Sequence, residues 1–339
     1  MAAVPPFDPG AHQDDAALDA ALRPSRFDQF VGQRRIRANL DLALQAAQSR
    51  DETLDHVLLS GLPGLGKTTL ARLLANAMEA QLHETSGPAL ARPADLVGIL
   101  TNLQQNDFLF IDEIHRLPRT VEEVLYSAME DYVVDVVLDQ GPAARSMRLT
   151  LPRFTLVGAT TREGLLSAPF RARFGLQEKF ELYDRADLSD ILGRSARALQ
   201  VELESEAAEF IAGRCRGTPR VANRFLRRIR DLAQERYDNR IDQAVASEGL
   251  ARLGIDEHGL CALDRRILEV LVRQGSAVGL KTIAVAIGEE ERTIEEVYEP
   301  YLIRRGLLAR TPQGRRASAQ GEALFEDAAN SQEQRQFFA

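Results

Sequence analysis

The segment Gly61-Leu-Pro-Gly-Leu-Gly-Lys67-Thr68 limits what this chain can fold into more than any other stretch. It fits GxxxxGK[ST] and stands between an apolar run, HVLLS (56–60), and a helical pattern, TTLARLLANAM (68–78). A strand, a glycine-rich turn and a helix in that order are the setting in which the motif binds phosphate. Glycines such as Gly64 and Gly66 let backbone N–H groups approach an anion, and the helix N-terminus favours its charge. Lys67 is placed to reach the β- and γ-phosphates of a nucleotide, and the Thr68 hydroxyl to hold Mg2+, with Thr69 beside it. The chain has only three lysines (67, 179 and 281) among 42 lysines and arginines, so a lysine in this loop is not one of a crowd of cations.

A second element completes the nucleotide site. The apolar run Phe108–Ile111 ends in Asp112 and Glu113, with Asp112 standing 45 residues after Lys67. Asp112 is expected beside the metal and Glu113 beside the attacking water. Hydrolysis also needs positive charge on the transferred phosphate, often an arginine from a neighbouring subunit. Arg173, in Arg171-Ala-Arg173-Phe174-Gly175, is one candidate and Arg220, in Gly217-Thr-Pro-Arg220, is another. In the latter, Thr218 can cap a helix whose first position suits Pro219. For either arginine the plain alternative is a surface ion pair.

Strand-like runs at 56–60, 107–113 and 154–161 alternate with helical patterns such as VEEVLYSAMED (121–131), which predicts an α/β domain with a parallel sheet. Residues 1–17 read as a disordered tail and 18–183 as the α/β ATPase domain. Residues 184–255 carry only helical patterns and read as a helical lid. Residues 256–330 show three helical patterns followed by LLARTPQGRRASA, two extended runs around a turn, which is the outline of a winged helix; 331–339 are a tail. One insertion breaks the alternation. VVDVVLDQGPAARSMRLTL, within about 132–151, reads as a β-hairpin, and Val133, Val134, Val136 and Val137 would show more apolar surface than a free hairpin should. They either dock a partner or pack on their own domain.

At 339 residues the chain is too long for one ordinary core. No apolar run approaches the roughly 18 residues of a membrane span, and the N-terminal stretch lacks the basic and apolar parts of a secretory signal, so a cytoplasmic location and no membrane role are expected. Cys215 and Cys261 have no metal-ligand spacing. The net charge is −8, but seven arginines and no acid lie between Phe210 and Arg230, and five arginines and no acid between Tyr301 and Gly321. Such runs are either solvated helix faces or anion-binding surfaces.

GLPGLGKTT, FIDEIHRL, VGATTR, RARFG and GTPR follow one another as in the AAA+ ATPases. Together with ALRPSRFDQFVGQ (21–33), TSGPAL, AMEDYVVD, GPAARS and EPYLIRRGLLARTPQGR, they resemble the RuvB family over roughly residues 20–316. At Leu62 that family usually has proline; the position contributes backbone. The resemblance implies an ATP-hydrolysing ring, a homo-hexamer, that drives branch migration of Holliday junctions in recombination and repair. It implies ATP and Mg2+, the double-stranded DNA arms of the junction, the partner RuvA, and RuvC in a resolving complex. It makes Thr161 the residue that senses the γ-phosphate, Arg173 the trans-acting arginine and Arg220 the cis sensor. It puts Leu22, Arg23, Tyr183 and the segment Glu130, Asp131 and Tyr132 at the nucleotide, Arg310 and Arg315 with Arg292 on DNA, and the hairpin on RuvA. Other readings are a clamp loader, a winged-helix regulator that uses ATP as a switch, and a protein unfoldase. The regulator would not need Glu113 and Arg173 in catalytic arrangement, and the unfoldase would need an aromatic pore loop.

Overall fold

The computed structural model describes residues 22–137 and 146–325. The expected tails at 1–17 and 331–339, and the tip of the expected hairpin, lie outside the described residues. By contact these residues form two compact units, one of 22–199 with 218–223, the other of 200–217 with 224–325.

The first unit is built on a parallel five-stranded sheet. Its strands are β1 (Val57–Ser60), β2 (Leu82–Ser86), β3 (Phe108–Asp112), β6 (Thr155–Thr160) and β7 (Leu176–Lys179), in the order β2-β3-β6-β1-β7. β1, β3 and β6 are the three apolar runs of the sequence. Their residues are buried almost throughout, as expected for central strands with covered faces. β2 and β7 are the edges and carry mixed residues, LHETS and LQEK, which is why no apolar run announces them. Around the sheet lie α1 (Arg34–Arg50), α2 (Lys67–Ala77), α3 (Pro93–Leu100), α4 (Arg119–Glu130), α5 (Ala168–Arg171) and α6 (Arg185–Ala198).

The insertion is an antiparallel pair, β4 (Val133–Val137) with β5 (Ser146–Thr150), in register Val133↔Thr150 to Val137↔Ser146. Val134 does not offer apolar surface: it is 0% exposed and packs in the core with Leu151, Phe154 and Met129. The pleat sends alternate side chains to opposite faces, so one face of the hairpin base anchors it to its own domain. Val133 is half-buried, and Met147 on the other strand is 44% exposed. Val136 and Val137 are described only through their backbone pairing.

The second unit joins most of the expected lid to the winged helix. It holds α7 (Ser205–Ala212), the greater part of α8 (Pro219–Arg236) and α9 (Gln243–Arg252), with a short parallel pair, β8 (Glu202–Leu203) and β9 (Arg240–Ile241). The winged helix follows as α10 (Ala262–Gln274), α11 (Leu280–Ile287), α12 (Glu291–Thr293), a π-turn at Ile294–Tyr298 and α13 (Glu299–Arg304). The wing is the hairpin β10 (Leu308–Thr311) and β11 (Gly314–Ala317). Val278 bridges to Arg315 and ties the wing back to the helices. By contact α6, at the start of the expected lid, groups with the sheet unit, where Arg194 donates to the carbonyls of Gln29 and Leu22. Among the described residues no helix is long and apolar enough to cross a membrane, and Cys215 and Cys261 are both buried thiols.

Candidate active site

The phosphate loop runs from the end of β1 into α2. Gly64 and Gly66 take positive φ of 79° and 100°, which L side chains resist. A Cβ at Gly64 would meet the Arg220 side chain at 2.9 Å, so the loop is packed against the residue that closes the pocket. Lys67 opens α2 and is buried; its Nζ donates to the carbonyls of Gly61 (2.8 Å) and Leu62 (3.0 Å). Burial pulls its ammonium down to about 8, against the opposing pull of Asp112 and Glu113.

One pocket of about 170 Å³ brings together Arg23, Gly64, Gly66, Lys67, Thr68, Thr69, Asp112, Glu113, Thr161 and Arg220. Residues more than 150 positions apart in the chain thus face one space. Glu113 sits in the left-handed region (φ 49°), with its N–H donating to Asp112 Oδ1 at 2.9 Å. That turn lifts its carboxylate off the strand end, where Oε2 accepts from Thr161 Oγ1 at 3.2 Å. His115, half-buried, lies 3.3 Å from the same oxygen and 2.8 Å from Thr160 Oγ1. The hard oxygen donors Thr68 and Asp112 beside a lysine and a helix N-terminus suit Mg2+ with a triphosphate.

A second pocket shares Arg23, Gly66, Thr69, Pro219 and Asn223 with the first and extends it over Leu22, Phe30, Val31, Leu65, Tyr183, Ile191 and Arg194. Its apolar lining suits a base and sugar. Tyr183 is locked there by donating to Leu65 O at 3.0 Å, and burial pushes its phenol up. A larger cavity of about 680 Å³, between Ser25–Asp28, α1 and α2, contains none of the phosphate-loop residues.

Arg173 does not line either pocket. It donates to Glu130 Oε2 (2.9 Å) and Pro169 O (2.8 Å) and lies over the Tyr126 ring at 4.5 Å. Glu130, at the end of α4, pairs with Arg173, and Tyr132 packs against Phe154 and Arg153; neither they nor Asp131 line the pockets at the phosphate loop of their own chain. The expectation that they contact nucleotide is not met within one chain.

Three family models cover nearly all of the described chain: the Holliday junction DNA helicase RuvB P-loop domain at 22–180, the RuvB AAA lid domain at 183–256 and the RuvB C-terminal winged helix domain at 257–326. The chain belongs to the RuvB family. It is 55% identical over 307 residues to the Holliday junction branch migration complex subunit RuvB of Salinibacter ruber, covering 90% of this chain and 89% of that protein. It is 53% identical to the subunit of the same name from Latilactobacillus sakei, covering 92% and 95%. The solved structure of the Thermotoga maritima RuvB Holliday junction branch migration motor matches it with a TM-score of 0.80 at 45% identity, covering 90% of this chain and 98% of that one. A RuvB-family chain is a P-loop AAA+ ATPase, and the phosphate loop described above is its nucleotide-binding element.

Against this family background the wing arginines show an unexpected setting. Arg310 donates to Glu299 through Nε (2.8 Å) and Nη2 (2.6 Å) and to Glu295 (3.1 Å); Arg315 donates to Glu299 through Nε (2.9 Å) and Nη2 (3.2 Å). Burial pushes the Glu299 carboxyl up, but hydrogen bonds from both arginines outweigh it and hold it below the usual range. Arg292 pairs with Glu296 at 3.0 Å. The acids come from 291–299, upstream of the acid-free run, so the run's composition did not reveal them. In the other arginine-rich run Arg216 and Arg227 are buried; Arg214 donates to Glu257 O, Arg216 pairs with Asp264, Arg220 lines the pocket, and Arg228 and Arg230 pair with Asp231. Residues the sequence did not single out are His115 and Thr160 beside Glu113, and Phe30, Ile191, Arg194 and Asn223 around the base pocket. Phe30, His115 and Thr160 sit inside quoted motifs; the others lack any local signal.

Proposed function

We propose that this chain is the ATP-driven motor of Holliday-junction branch migration, acting on the DNA arms as a homo-hexameric ring with RuvA, and with RuvC during resolution, in cytoplasmic recombination and repair. The observation that carries this reading is the division of the arginines. Arg220 closes the pocket that holds Lys67, Thr68, Asp112, Glu113 and Thr161, whereas Arg173 stands outside it. The pocket holds Arg23, Lys67 and Arg220 but not the arginine that the resemblance assigns to the transferred phosphoryl, so a neighbouring subunit is left to supply it, and head-to-tail contacts of that kind form a ring when their rotation closes.

In this reading Lys67 and the loop N–H groups bind the ATP phosphates. Thr68 and Asp112 hold Mg2+, which neutralises charge on the phosphates when bound. Glu113 orients and polarises the water, with Thr161 fixing its carboxylate and reading the γ-phosphate. Leu22, Arg23 and Tyr183 hold base and sugar. Arg173 of one subunit, released from Glu130, stabilises the transferring phosphoryl of the next. Arg220 reports the nucleotide to α8, and the winged helix moves the duplex through contacts that go mainly to phosphate, because a motor must not stall on sequence. The hairpin presents the exposed Met147 toward RuvA.

The test is migration of a synthetic four-way junction by purified chain with RuvA, ATP and Mg2+. The reading expects ATP-dependent migration and ATP turnover stimulated by duplex DNA. Turnover indifferent to DNA, with no migration, would favour the nucleotide-switch regulator.

A further inference from the structure

Arg216 stands four residues before Arg220, at the point where the chain leaves one contact unit for the other. Its backbone is left-handed (φ 56°), as is that of Gly217 (φ 75°), so the chain turns sharply there. Its guanidinium donates through Nη2 to Oδ2 of Asp264, and the two side chains are 5% and 0% exposed. Asp264 Oδ2 also accepts from the N–H of Cys261 at 2.8 Å, closing the first turn of α10. The same guanidinium lies over the rings of Tyr301 (4.6 Å) and Tyr298 (5.7 Å), which flank the start of α13. Arg214 adds a second tie, donating to Glu257 O at 2.9 Å. A lid segment is thus fastened to two helices of the winged helix at once.

The chemistry of this joint is informative. A buried ion pair gains little stability over apolar packing of the same volume, but displacing one partner leaves the other a buried unpaired charge, which is strongly unfavourable. It is therefore a poor device for holding two bodies together loosely and a good one for fixing their register.

We infer that Arg216 and Asp264 are positioning residues that make the winged helix follow the Gly217–Arg220 segment, so that a nucleotide-dependent shift of Arg220 is delivered to the DNA-binding domain without slack. The inference rests on the motor reading above. Neither residue touches nucleotide or lies among the wing arginines, so their loss acts on coupling rather than on either end.

The experiment compares full-length wild type with Asp264→Asn, which keeps the shape and one acceptor oxygen but removes the charge, and with Arg216→Met, which keeps the stem. Three quantities are read: ATP turnover without DNA, duplex affinity, and base pairs migrated per ATP on a four-way junction with RuvA. Turnover and affinity should stay near wild type, while migration per ATP falls by about tenfold, within the usual range of coupling between sites. The double variant should be no worse than either single one, because both remove the same interaction. Wild-type migration per ATP in a folded variant overturns the inference. So does a loss of turnover, affinity and migration in step with melting temperature, which marks a purely structural pair. Hydrogen exchange on the wild-type chain needs no variant: the N–H groups of Arg214, Cys215 and Cys261, bonded to Ile211 O, Ala212 O and Asp264 Oδ2, should open in one cooperative step, and separate opening overturns the joint. A wild-type chain that hydrolyses ATP on duplex DNA yet migrates nothing overturns the motor reading and the inference with it.

Discussion

Replacing Arg310 by alanine tests how the wing engages DNA, and the structure sets the size of the effect. Arg310 and Arg315 bring two positive charges, and Glu295 and Glu299 bring two negative ones, so the cluster has no net charge to offer. What it offers is directed donors. Arg310 is 50% exposed and gives Nε and Nη2 to the acids, leaving Nη1 for a phosphate; Arg315 is only 17% exposed and clamps Glu299. Arg310→Ala should therefore lower the slope of log K against log salt by about 0.9, the value of one phosphate contact, which is about a 3.5-fold affinity change over a fourfold salt range. Arg315→Ala should change the slope much less. The double substitution is a poor test by itself, because Glu299, 1% exposed, would be left a buried unpaired carboxylate at a cost of about 3–5 kcal/mol. It should be made together with Glu299→Gln. Anisotropy titrations of a labelled duplex at several salt concentrations, on two unrelated sequences, give the slopes. Equal slope losses for Arg310→Ala and Arg315→Ala, or none for Arg310→Ala, would refute the assignment.

Two further predictions concern the nucleotide pocket. The Lys67 ammonium sits at about 8 in the free protein, and bound phosphates favour its charged form, so nucleotide affinity is full below that pH and falls as pH rises through it, by up to about tenfold per unit; a pH titration with a fluorescent ATP analogue that stays flat from 7 to 9.5 would count against Lys67 as the phosphate partner. A Cβ at Gly87 would stand 2.5 Å from the carbonyl oxygen of Glu113, so Gly87→Ala must displace that residue's backbone. ATP should still bind with wild-type affinity while kcat falls by about ten- to a hundredfold; unchanged kcat would show that Glu113 need not be held where it is.

The parts of the site that were legible in the sequence are those made by neighbours in the chain. The phosphate loop is such a part, because strand, glycines, lysine and helix are contiguous and their backbone does the binding. Asp112 and Glu113 are another, since an apolar central strand fixes where its end lies. The parts that stayed hidden depend on pairings across the fold. Asn223 and Arg194 enter the base pocket only because α6 and the first turn of α8 pack beside the loop. Val134 looked like surface because a hairpin's two faces are indistinguishable when both carry valine, and the core under one face is assembled from α4 and the strand β6 segment. The wing arginines looked free because their acids lie on the preceding helix. Arg173 is the instructive case: its motif marked it as catalytic, and only the fold shows that its own chain holds it with Glu130, outside the pocket.

The central claim is that each ATP site is completed by the next subunit, and one mixing experiment tests it most directly. Arg173→Ala and Glu113→Gln should each bind ATP and fail to hydrolyse it, for different reasons. In rings assembled from equal amounts of the two, about one interface in four pairs an intact Glu113 with an intact Arg173 from the neighbour. The account predicts that ATP turnover returns on mixing. Mixed rings that demonstrably form, yet hydrolyse no more ATP than either variant alone, would contradict it.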